Sequence, residues 1–287
     1  MRTFKTYTWT LLFIGLATAV IIGCIAYKHH QTRDAYLNSI TLILSPHFDD
    51  AVLSAGGLMA KNDHPSVVAT FFTATPEVAT TTSWDQISGF KNSTEAMISR
   101  IKENAAALKI LGTESKNLDY FDNQYGRGES DEQAEADIAR DIQTLLASYH
   151  GKTINVYGPA IFTPTITHPD HGLLHKAFLD VASQYPGTNV HFYMYEDFPY
   201  TEHFNKESVV SLKKNLELDS GSYLDQENVL LTSAQVNKKI EALTKYTSQT
   251  KAFTADTIDI LTQSRNFTST RCGIDPAQAC EVFYKLH

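Results

Sequence analysis

Five β-rich runs separated by helix-length stretches constrain this chain more than any other feature. The runs are Ile40–Leu44, Val67–Thr73, Leu118–Phe121, Thr153–Tyr157 and Val190–Tyr195. The first is a continuous apolar run but for Thr41, instead of alternating, as in strands covered on both faces. Helical patterns fill the gaps at Ala51–Lys61, Asn92–Gly112, Ile138–Tyr149 and His171–Gln184. In the second of these, Asn92 with Glu95 offers a capped start. Met97, Ile98, Ile101, Ala105, Leu108 and Leu111 then recur at helical spacing up to Gly112. Strands alternating with helices predict an α/β fold, a Rossmann-like and mostly parallel sheet with helices on both faces. Pro76–Lys91 reads as a long loop, and the chain beyond Tyr200 reads as mostly helical, around Ser208–Leu216 and Ala234–Lys251.

Parallel sheets of this kind bind ligands beyond the carboxyl ends of their strands. Directly after Ile40–Leu44 comes Ser45-Pro46-His47-Phe48-Asp49-Asp50. Asp and His are weak strand formers, and a buried carboxylate is costly unless paired or metal-bound. A helix cap by Asp49 or Asp50 is the alternative reading. A second cluster, Thr167-His168-Pro169-Asp170-His171, follows the fourth run. Together the two clusters fit one zinc ion, with His47, Asp50 and His171 as ligands and a fourth position open for water. Asp49 is left to accept a proton and His168 to stabilise an oxyanion, with Asp170 orienting the His168 ring. His175, one turn beyond His171, offers a rival metal pair, but no zinc-protease signature accompanies it; it reads as a packing histidine.

These residues resemble the LmbE/PIG-L family of zinc-dependent de-N-acetylases. SPHFDDAVLSAGG matches the family's first motif, including the Gly56-Gly57 pair, and HPDH matches its second. Arg100-x-x-Glu103, Asp122, the stretch Tyr195–Tyr200 and Tyr246-Thr247-Ser248-Gln249 extend the likeness over residues 39 to 250. The resemblance implies metal ligation by His47, Asp50 and His171 and a base at Asp49. It implies an oxyanion and leaving-group role for His168, with Asp170 as its partner. It also implies removal of an acetyl group from an N-acetylated amino sugar, with one Zn2+ per chain. Phe48 and Ala51 depart from the family's usual Pro and Glu. Arg100 and Asp122 are candidate substrate contacts, and Arg100 with Glu103 also reads as an i,i+3 ion pair. Specificity is expected in loops 76–91, 123–133 and 198–206. A metal amidase acting on another small amide and a sugar-binding protein without catalysis are the competing functions; retention of both Asp49 and His168 speaks against the latter.

The first 34 residues differ in kind from the catalytic domain expected over 35–287. Trp9 to Tyr27 carries no charge and has the length of a bilayer-spanning helix, with aromatic residues at both ends. It predicts a membrane anchor. Ile21-Ile22-Gly23-Cys24 offers a second route, a lipoprotein signal lipidated at Cys24. Cys272 and Cys280 bracket a short Gly- and Pro-containing loop and are expected to form a disulfide, which places the domain outside the cytoplasm. Net charge is -8 and no basic run occurs, which argues against a nucleic-acid partner. Oligomeric state is not legible.

Overall fold

The computed structural model describes residues 36–161, 168–185, 189–200, 210, 214, 224–255, 258–272 and 278–287. Its elements run β1 (Ser39–Ser45), α1 (Asp50–Lys61), β2 (Ser66–Thr70), α2 (Ser83–Ser88), α3 (Ser93–Leu111) and β3 (Glu114–Asn117). A short 3-10 turn at Asn123–Tyr125 precedes α4 (Asp131–Ser148), β4 (Thr153–Ala160), α5 (Pro169–Ser183) and β5 (Val190–Glu196). Then come β6 (Leu224–Leu231), α6 (Ser233–Leu243), α7 (Thr247–Ala255), α8 (Ile260–Thr270) and β7 (Ala279–Leu286).

The strands form one sheet in the order β3-β2-β1-β4-β5-β7-β6. The first five are parallel, and β7 and β6 join antiparallel. Chain order reverses between β1 and β4, so the crevice beyond their carboxyl ends is the switch point where α/β sheets bind ligands. Side chains on β1 alternate between two apolar layers. Leu42 and Leu44 pack with Ile138, Ile142 and Leu174 of α4 and α5. Ile43 packs on the other face with Val52, Leu108 and Leu243 of α1, α3 and α6. The continuous apolar run therefore belongs to a strand buried on both sides.

Several sequence expectations need correction. Strand β3 lies at 114–117, before Leu118–Phe121. It is an edge strand with a single neighbour, so solvated residues Glu114 and Asn117 serve where the apolar pattern is absent. Strands β6 and β7 were not expected. Most of β6 is exposed and polar, Asp225–Asn228, which conceals its periodicity. Ala234–Lys251 is two helices, broken between Leu243 and Thr247. On α3, Ile98 and Ile101 are 47% and 37% exposed. The buried face instead carries Arg100 and Asn104 beside Met97, Leu108 and Leu111, because the helix turns polar anchors inward. Among the described residues no helix is long and apolar enough to cross a membrane. Trp9–Tyr27, Cys24 and most of Ser208–Leu216 lie outside the described residues.

The glycine pair has a packing cause. Helix α1 departs from helical geometry at Ala55, which leaves the Gly57 and Leu58 N–H groups to Glu281 at 2.8 Å each. A Cβ on Gly56 would stand 2.7 Å from Lys239 Cγ, and one on Gly57 would collide with Leu231 and Glu281. Lys239 and Glu281 are paired at 2.8 Å and buried. Cys272 and Cys280 are joined by a disulfide across a Cα–Cα distance of 5.9 Å, tying the end of α8 to β7.

Candidate active site

The turn after β1 is built by its own polar groups. Ser45 Oγ donates to the His47 carbonyl at 2.5 Å and accepts from the Ala51 N–H at 3.0 Å. The His47 N–H donates to Asp50 Oδ2 at 2.7 Å. Phe48 and Ala51, the two departures from the family pattern, are both buried in the helix-side core. After β4, His168 caps α5 and Pro169 opens it, which sets His171 inside the first turn.

Three donor atoms meet at the switch point. His47 Nδ1 lies 3.2 Å from Asp50 Oδ2. His171 Nε2 lies 3.3 Å from each of them. Tetrahedral zinc with bonds of about 2.0–2.2 Å needs ligand atoms about 3.3–3.5 Å apart. The donor set of two imidazoles and a carboxylate therefore fits zinc in both chemistry and spacing.

The far side of each imidazole is held by a carboxylate, as zinc-binding histidines require. His47 Nε2 donates to Asp170 Oδ2 at 3.0 Å. His171 Nδ1 donates to Asp197 Oδ2 at 2.5 Å. This corrects the pairing read from sequence. Asp170 was matched to His168, but His168 Nδ1 is 3.6 Å from its carboxylate and instead accepts the Asp170 backbone N–H at 3.3 Å. Asp170 is fixed further by the Asn123 N–H at 3.0 Å and by Arg127. Asp197 and Arg127 are site residues that sequence reasoning missed. The signal for Asp197 was its place at the carboxyl end of β5, next to β4; for Arg127 there was none beyond its loop.

Asp49 is buried, lines the cavity and makes no capping hydrogen bond, so the helix-cap reading does not hold for it. Burial, with the Asp50 charge beside it, pushes its carboxyl up to about 7. Asp50 is held low, since the charges of His171 and His47 outweigh its burial. Burial and the neighbouring His47 push the His168 imidazole down to about 4. With Nδ1 accepting a backbone N–H, the proton of neutral His168 sits on Nε2. His175 turns away and meets the Pro159 carbonyl at 2.8 Å, as a packing histidine would.

His47, Asp49, Asp50 and His168 face a cavity of about 240 Å³. Arg100, Asp122 and Gln124 line its polar side, and Trp84, Tyr200, Gln249 and Phe253 complete it. Arg100 does not pair with Glu103. It contacts Asp85 at 3.2 Å, and its buried Nε has no partner among the described residues. Asp122 accepts from the Gln124 N–H and side-chain amide at 3.0 and 2.6 Å.

Residues 42–182 match a family model described as PIG-L, GlcNAc-PI de-N-acetylase. No curated protein matches the chain. Among solved structures, the zinc-inhibited form of a teicoplanin deacetylase is 23% identical with a TM-score of 0.70, over 86% of this chain and 98% of that one. An N,N'-diacetylchitobiose deacetylase from Pyrococcus horikoshii is 18% identical with a TM-score of 0.52, over 87% and 84%. A 4-carboxy-2-hydroxymuconate hydratase from Pseudomonas putida is 17% identical, also with a TM-score of 0.52, over 86% and 95%. Deacetylases and a hydratase share this fold, so the reaction must be argued from the site.

Proposed function

We propose that this chain, whose residues 42–182 match the PIG-L family model, is a membrane-attached, metal-dependent N-deacetylase that hydrolyses the acetamido group of an amino sugar. The amide C–N bond breaks, giving acetate and the free amine. One observation carries the reading: three donor atoms 3.2–3.3 Å apart, beside a buried carboxylate that faces the cavity and does not cap its helix.

Zinc bound by His47, Asp50 and His171 would supply a Lewis acid that polarises the amide carbonyl and acidifies water at the site. The remaining steps fall to this chain's own residues. Asp49 accepts the proton of the attacking water, and its carboxyl near neutrality suits a base that must later give that proton up. His168 directs its Nε2–H at the developing oxyanion as a neutral donor and assists departure of the amine. Asp170 and Asp197 keep the ligand imidazoles in register. The unpartnered N–H of Arg100 and the Asp122 carboxylate are suited to sugar hydroxyls. The family description and the deacetylases of similar fold support an N-acetylated sugar as substrate.

The uncharged segment Trp9–Tyr27 supports attachment to a membrane. The Cys272–Cys280 disulfide supports a domain on the oxidising, extracytoplasmic side. A full-length preparation in detergent with zinc, assayed for acetate release from N-acetylhexosamine conjugates, tests the activity. Absence of acetate from every conjugate refutes it. Resistance of the chain to alkaline extraction from membranes tests the attachment.

A further inference from the structure

We propose that Trp84 and Phe253 form an aromatic subsite for the group joined to the N-acetylated sugar, a second ring with an apolar face. The proposal rests on the deacetylase reading and extends it to the substrate's neighbour.

Both side chains line the cavity that holds His47, Asp49 and Asp50. Their rings lie 5.8 Å apart at 79°, an edge-to-face pair. Trp84 Nε1 donates to Gln249 Oε1 at 3.2 Å. Gln249 and Phe253 are four residues apart on α7 and so share one face of it.

Each helix that carries this pair is pinned by a carboxylate to the framework around α3. Asp85, fully buried on α2, accepts from Arg100 Nη2 at 3.2 Å and from the Tyr125 hydroxyl at 2.9 Å. Thr82, which caps α2, donates to Gln124 Oε1 at 2.7 Å. On the other side, Glu103 accepts from Thr247 Oγ1, the Ser248 N–H and Ser248 Oγ at 2.6, 2.9 and 2.6 Å. The Tyr246 hydroxyl donates to Asn104 at 2.9 Å. A six-residue helix in a Thr- and Ser-rich segment has little core of its own; these ties fix Trp84 where it stands. Ordering the wall before a ligand arrives removes that cost from binding.

The division of labour within the cavity selects the occupant. The acetamido group belongs at the metal-ligating residues, and Arg100, Asp122 and Gln124 match hydroxyls. Trp84 and Phe253 add nothing to amide hydrolysis. Half-buried aromatic faces suit the C–H face of a second sugar or an aromatic aglycone.

The test uses the full chain in detergent and three ligands: the methyl and phenyl β-glycosides of N-acetylglucosamine, and N,N'-diacetylchitobiose. The chain holds two tryptophans, Trp9 and Trp84, so in a Trp9→Phe background the emission reports Trp84 alone. With Asp49→Asn added to block turnover, the phenyl glycoside or the disaccharide should shift that emission, and the methyl glycoside should not. In kinetics, Trp84→Ala and Phe253→Leu should lower kcat/KM for the extended ligand about 5- to 10-fold, through KM, and leave the methyl glycoside within about twofold. A response to phenyl alone identifies an aromatic aglycone; a response to the disaccharide identifies a second sugar. Equal losses on all three ligands, or no emission shift with either extended ligand, overturn the subsite. If the wild type releases no acetate, the deacetylase reading fails by itself, and the emission shift alone decides the subsite.

Discussion

Asp170 accepts from His47 Nε2 at 3.0 Å, across 123 residues of chain. This contact joins the two motifs outside the ligand set itself, and it makes Asp170 a positioning residue for a metal ligand. Asp170→Asn should therefore weaken zinc affinity by about 10- to 100-fold, the usual effect of losing such a partner. Isothermal titration with zinc checks this. Unchanged affinity with reduced kcat would return Asp170 to His168.

Asp49 and Asp50 are neighbours with opposite assignments. Asp50 makes its contacts at ligand distance from His47 and His171, whereas Asp49 faces the cavity and makes no helix-cap hydrogen bond. Asp49→Asn should lower kcat by about 10²- to 10⁴-fold, the range for a lost general base, at unchanged zinc content. Metal analysis beside steady-state kinetics separates the two effects; a matching fall in zinc would show that Asp49 ligates.

The same carboxylate should impose a pH-dependent cost on the metal-free fold. Its folded pKa is about 7, against about 3.9 for an unfolded Asp. Between those values the folded state holds a proton that the unfolded state has lost, so stability falls as pH rises. Metal-free Asp49→Asn should thus gain stability over wild type, more at pH 8 than at pH 5, by a few kcal/mol at most. Calorimetry of both chelated proteins gives the comparison. An equal gain at the two pH values would remove the electrostatic explanation.

How legible this site was depended on how local its causes were. His47, Asp49 and Asp50 sit within one turn after a buried strand, and His168 and His171 within one helix start, so sequence spacing alone carried them. The parallel strands β1, β2, β4 and β5 were legible for the same reason, as apolar runs. Asp197 was not, because its role comes from β5 lying beside β4. The inward turn of Arg100 was hidden too, since α3 exposes Ile98 and Ile101 and buries polar groups whose partners lie on α2, at Tyr246 just before α7, and on β3. Edge strands β3 and β6 were lost because solvated strands need no apolar period.

The glycine pair of the first motif supports the fold at a distance from the chemistry. Glu281 on β7 holds the Gly57 and Leu58 N–H groups and the Lys239 ammonium at once. Removing the carboxylate by Glu281→Ala strands the two backbone donors and leaves the buried ammonium only Thr268 Oγ1, at 3.1 Å. Lys239→Met leaves the two backbone bonds in place and replaces the ammonium with an apolar chain of similar length. Losing one partner of a buried pair costs about 3–5 kcal/mol. Glu281→Ala should reach that range, and Lys239→Met should fall below it. Gly57→Ala should destabilise as well, because its Cβ collides with Leu231 and Glu281. Urea unfolding of the three variants orders them. If Lys239→Met proves the most damaging, the ion pair, and not the pinning of the kinked α1, is what secures this end of the sheet.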